Sequence, residues 1–145
     1  MEAKAFHQLD DLFGLGPEAA LDEAFDWIFM SQAADWELLK AAWSSRSPAW
    51  REACAYVLGS GPVPESLELL RYAVFDEDDD VAAEAACSYA GQWLQHGAAV
   101  PLHGPLLERL REILEAEGHQ HLEEVCELLQ RVHLQEVLPR SEDNA

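Results

Sequence analysis

The sequence predicts an all-α protein, on three grounds. Apolar residues recur every three or four positions along nearly the whole chain, the period of a helix face and not the alternation of a strand. Proline, glycine and serine interrupt that pattern often enough to leave short helices joined by short turns. Two segments also align at a fixed offset of 32 residues, a period that belongs to stacked helical hairpins. A chain of 145 residues, 49% hydrophobic, suits one domain with a real core. Residues 1–138 are therefore expected to form a single helical-repeat domain, and 139–145 a flexible C-terminal tail.

The first helix places Phe6, Leu9, Leu12 and Phe13 on one face and stops at Gly14-Leu15-Gly16-Pro17. Pro17 suits the first turn of a second helix, with Glu18, Asp22 and Glu23 near its positive end. Its apolar set is Leu21, Ala24, Phe25 and Ile28. A third helix, from about Gln32, uses Trp36, Leu39 and Trp43 and ends in Ser44-Ser45-Arg46. Ser47-Pro48 is a start signal, a capping serine before a proline at the first helical position. The fourth helix carries Trp50, Ala53, Cys54, Val57 and Leu58 inward, and Gly59 and Gly61 end it.

Pro62 and Pro64 open a fifth helix with Leu67, Leu70 and Val74 inside. The acidic turn Asp76-Glu77-Asp78-Asp79-Asp80 follows, with Asp79 or Asp80 expected to cap a sixth helix. That helix is built on Ala82, Ala85, Ala86, Tyr89, Ala90 and Trp93. A loop through Pro101, Gly104 and Pro105 leads to a seventh on Leu106, Leu110, Ile113 and Leu114. Gly118 separates it from a last helix on Leu122, Val125, Leu129 and Val132.

The repeat lays Glu52-Ala53-Cys54-Ala55-Tyr56-Val57-Leu58-Gly59 over Glu84-Ala85-Ala86-Cys87-Ser88-Tyr89-Ala90-Gly91. Small residues let one helix approach another closely, and each segment is followed by a second amphipathic helix. Weaker echoes stand at Glu23-Ala24-Phe25 and Glu124-Val125-Cys126. The stretch from Ala73 to Ala86 resembles the turn and first helix of a HEAT-like repeat, in which an Asp-rich turn precedes a valine and an Ala-rich helix ending near glycine. The resemblance covers residues 47–117 and thins at both ends. It departs from the pattern at Ala82 and Ala83, where many such repeats carry arginine after the valine. It implies a short right-handed α-solenoid of about seven to eight helices, with the second helix of each hairpin lining a concave face.

Charge narrows the function. The chain has 28 acidic and 9 basic residues, for a net charge of −19. Residues 1–72 hold 12 acids and 5 bases, and residues 73–145 hold 16 and 4, so the second half is the more anionic. Nine scattered bases offer no patch for phosphates, which excludes nucleic acid, and the anionic surface repels acidic lipid while attracting cationic proteins. No signal peptide or membrane-spanning run is read at the N-terminus or elsewhere. Cys54, Cys87 and Cys126 are too far apart and too few for a disulfide framework. The expectation is a cytoplasmic protein.

Metal and catalytic chemistry find little support. Asp76, Asp78 and Asp80 match the first side-chain positions of a calcium loop, but Val81 and Cys87 stand where its glycine and bidentate glutamate belong. His119, His121, Cys126 and His133 lack the spacing that puts ligands on one face, and Cys-x-x-Cys is absent. There is no phosphate-cradling glycine loop, no Gly-x-Ser-x-Gly and no His-Glu metal-hydrolase helix. We therefore expect no enzyme, no cofactor and no metal.

What remains is a surface. The HEAT-like arrangement puts Asp35, Glu37, Glu65, Glu68, Tyr72, Glu108 and Glu112 near the concave face, with Asp76, Glu77, Asp78, Asp79 and Asp80 at its edge. Trp27, Trp36, Trp43 and Trp50 crowd into one region, with Trp93 apart. They are expected mainly in the core, and any exposed one would anchor a partner. By type, the chain is similar to small acidic bacterial immunity proteins, which implies capture and inhibition of a basic protein such as a toxin domain. The alternative is a non-inhibitory adaptor, scaffold or secretion chaperone. Like charge on the acidic face favours a monomer or a weak homodimer.

Overall fold

Helix ends fall where the chain supplies chemistry to end them. The computed structural model describes residues 3–16, 21–97, 102, 104–116 and 122–137. Pro17, Glu18, Pro101, Gly118, His119, His121 and the expected 139–145 tail lie outside these. Among the described residues there are eight α-helices and no strand: α1 (Lys4–Phe13), α2 (Leu21–Phe29), α3 (Ala33–Ala42), α4 (Pro48–Leu58), α5 (Glu65–Ala73), α6 (Asp79–Gln92), α7 (Gly104–Glu115) and α8 (Glu123–Val137). The third helix tightens into a 3-10 turn at Trp43–Ser45, and α6 runs on into a π-helical turn at Trp93–Gly97.

Ser47 caps α4 as expected, its hydroxyl accepting the Trp50 N–H at 3.2 Å with Pro48 in the first turn. The cap of α6 differs from expectation. Asp78, not Asp79 or Asp80, occupies that position, and one oxygen accepts from the N–H groups of Asp80 and Val81 at 3.0 and 3.1 Å. Asp79 and Asp80 instead form the first turn, where their charge meets the positive helix end. Helix α1 has no cap of its own, because Ala3 carries no side-chain acceptor.

The order of packing follows the repeat. Helix α4 lies against α6 and α6 against α8, while α5 contacts α4 and α6, and α7 contacts α6 and α8. The two segments aligned in sequence are thus direct neighbours. Their small residues make that approach possible: Ala53, Cys54 and Ala55 of α4 and Ala82, Ala85, Ala86 and Ala90 of α6 are all buried. At Gly59 an added Cβ would come within 2.8 Å of the Ser88 hydroxyl on α6. At the other end, α1 contacts α2, α3 and α4, and α2 contacts α4.

One continuous core runs through all eight helices, from Leu9 and Phe13 through Leu58, Leu70 and Tyr89 to Leu110 and Leu128. The expected apolar faces are largely the buried ones. Leu128 takes the buried place on α8, leaving Leu129, expected inside, only partly covered. Trp43, Trp50 and Trp93 are buried, and Trp27 and Trp36 pack partly against the core. Of the cysteines, Cys54 is fully buried and Cys87 and Cys126 partly so. No helix among the described residues is long and apolar enough to cross a membrane.

Candidate functional site

Two carboxylates expected on the surface are inside the protein. Asp35 is 4% exposed. One oxygen accepts the Phe6 N–H at 2.9 Å and the other the Gln32 N–H at 2.8 Å. It therefore supplies, from 29 residues away, the cap that α1 lacks, and closes the start of its own helix as well. Asp76 is 8% exposed. It accepts the Trp43 indole N–H at 2.7 Å and the Asp78 N–H at 2.9 Å, and lies 3.5 Å from the Arg51 guanidinium. As contact residues for a partner both expectations are corrected, since burial commits these oxygens internally.

Asp10 repeats the Asp76 arrangement. It takes a bidentate pair from Arg46 at 2.8 and 2.9 Å and the Trp50 indole N–H at 2.8 Å. Hydrogen bonding from Arg46 holds its carboxyl below the usual range against the opposing effect of burial, helped by Trp50. Each Trp–Asp bond, buried at Asp76 and partly buried at Asp10, thus has an arginine beside it. The rings connect edge to face, from Phe13 to Trp50 to Trp43 to the exposed Tyr72, with centroids 5.3, 6.0 and 6.4 Å apart.

The turn between α5 and α6 is held from several directions. Besides the contacts to Asp76, Arg109 of α7 donates to the carbonyls of Val74 at 2.9 Å and Asp76 at 3.1 Å. The five-acid run consequently divides. Asp76 is buried, Asp78 caps a helix, and Glu77, Asp79 and Asp80 stay exposed.

Two hollows flank this turn and share Phe75, Asp76 and Glu77. The first, about 490 Å³, adds Trp43, Ser44, Arg51 and Tyr72. The second, about 550 Å³, adds Asp79, Glu108, Arg109 and Glu112, with Pro105 at its edge. Tyr72 and Phe75 are 45% and 48% exposed, large apolar rings left open beside carboxylates. The fold thus brings together Tyr72, Glu77, Asp79, Glu108 and Glu112 of the expected surface. Glu37, Glu65 and Glu68 are exposed but line neither hollow, and Asp80 lies outside both.

Sequence reasoning missed Phe75, Trp43, Arg51 and Arg109 as parts of this site. Phe75 lies just past the end of α5, after Val74, and so had no assignable face. The arginines were read only as scattered positive charge. The described cations are in fact largely engaged internally, Lys4 over the Trp27 ring at 5.7 Å and Lys40 over Tyr72 at 5.6 Å.

A second cluster lies where α4, α6 and α8 meet. Burial raises the Glu84 pKa, and the charges of Glu52 and Glu124 push it further. The Cys87 thiol donates to Glu124 at 3.2 Å and is pushed up to about 12 by burial, that bond and the neighbouring charges. Burial also raises Cys54. Both thiols are protonated at neutral pH and are poor nucleophiles. Among the described residues no group of three or more His, Cys, Asp or Glu side chains is placed to hold a metal ion. Comparison with protein families, with characterised proteins and with solved structures finds no match.

Proposed function

We propose that the protein is an acidic binding module that captures and inhibits a cationic partner, and that its role is immunity against a toxin enzyme. The observation that carries this reading is the paired hollow at the α5–α6 turn, where exposed carboxylates surround two exposed aromatic rings. An apolar centre with a charged rim is the anatomy of a protein-binding surface. The net charge of −19 supplies long-range attraction, and steered association of this kind can reach the order of 10⁸ M⁻¹s⁻¹. We further propose that the hairpins stack as a right-handed HEAT-like α-solenoid. The contacts of α4 with α6 and of α6 with α8, with α5 and α7 alternating between them, support that arrangement.

The test is capture from a lysate of the source cell at low and high salt, with mass spectrometry and an activity assay of what is retained. The bait is compared with a variant carrying Glu77→Gln, Asp79→Asn, Glu108→Gln and Glu112→Gln. One dominant basic protein, silent when bound, weakened by salt and lost to the variant, is the expected result. A partner that remains active when bound overturns inhibition in favour of an adaptor. Retention that ignores both salt and the variant overturns the acidic surface.

A further inference from the structure

The geometry points to an arginine of the partner as the anchor of this interface, seated on Tyr72 and Phe75 in the first hollow. This rests on the acidic-capture reading and adds the side chain that the surface selects. The hollow has a fixed floor, because the Trp43 indole N–H is committed to Asp76 and its ring meets Tyr72 edge to face. The pairing of Arg51 with Asp76 leaves little net charge on that floor. The exposed Glu77 then contributes a negative charge shared by both hollows.

The Tyr72 face already works as a cation seat, since the Lys40 ammonium lies 5.6 Å from the ring centroid. Lys40 is exposed and lies outside the lining of the hollow, so the ring is open to a second cation from that side. A guanidinium suits the site better than an ammonium. It is planar, stacks on aromatic faces, is more weakly hydrated and can pair with a carboxylate through two parallel N–H groups. A flanking basic residue of the same segment falls over Asp79, Glu108 and Glu112 in the second hollow.

Octaarginine and octalysine carry equal charge and separate this proposal from attraction alone. Calorimetric titration of the protein should find octaarginine tighter by about threefold or more, because both cations gain from the rings but only the guanidinium also stacks on them and is weakly hydrated. The Tyr72→Leu, Phe75→Leu double variant, checked for helicity, should lose most of that preference. Phe75→Leu alone, which leaves the Trp43–Tyr72 contact in place, should reduce the arginine preference, and it serves should the double variant fail to fold. Equal affinities for wild type, or an arginine preference undiminished in the double variant, would overturn the arginine seat and leave acidic capture standing. Binding of neither peptide would overturn both.

Discussion

A buried carboxylate is tolerated only where its charge and lone pairs are met, and Asp76 meets that condition with partners from three parts of the chain. Trp43 follows α3, Arg51 is on α4, and the Asp78 N–H opens α6. Removing the acid strands the others, because the Arg51 side chain is only 11% exposed and its Nε, which makes no hydrogen bond, lies 3.5 Å from the Asp76 carboxylate. Asp76→Ala should therefore cost about 3–5 kcal/mol in urea unfolding, the range for breaking a buried pair from one side. A loss below about 1 kcal/mol would show that Trp43 and Arg51 find other partners. Neither Asp76 nor Asp35 could be told from a surface acid in sequence. Their tertiary partners, Trp43 and the Phe6 N–H, lie 33 and 29 residues away, and local patterning reports only what is exposed on one helix.

Helices here were legible because their boundaries are local chemistry. Ser47-Pro48, the glycines after α4 and the 3–4 apolar spacing each act within one or two turns. The choice among Asp78, Asp79 and Asp80 as cap was not legible, since all three side chains suit that position and the backbone of the preceding turn decides. The loop from α4 to α5 shows how an element depends on a distant one. Gln92 of α6 donates to the carbonyls of Leu58 and Gly61 at 2.8 and 2.9 Å, drawing the loop inward. Gly61 is then so close to Ser66 that an added Cβ would collide with its hydroxyl, which is buried without a hydrogen-bond partner. Gly61→Ala should destabilise by about 1–3 kcal/mol through overpacking. Ser66→Ala should be neutral or stabilising, as it removes an unsatisfied group. The double variant should recover much of the loss, and a strictly additive thermodynamic cycle would show that the two sites do not touch.

Over the whole molecule, the packing that brings small residues together also brings like charges together. Glu52 and Glu84 occupy matching places in the two aligned segments, and Glu124 belongs to the weaker third echo. Packing α4, α6 and α8 in order brings their fields onto Glu84, which burial has already made reluctant to ionise. The native state then holds the Glu84 proton more tightly than the unfolded chain does. Stability is accordingly lost as pH rises from the usual carboxylate value through the raised one, and the cost is fully present above it. Asp10 acts with the opposite sign, adding stability at neutral pH that disappears as pH falls through its depressed value. Comparing wild type with Glu84→Gln at each pH cancels the Asp10 contribution and isolates Glu84. The variant should melt higher at pH 7, and the gap should close toward pH 4 as the native carboxyl takes up its proton. A gap of the same size at both pH values would assign the effect to packing and not to charge. Added salt should narrow it at pH 7 only modestly, because Glu84 is partly shielded from the solvent that does the screening.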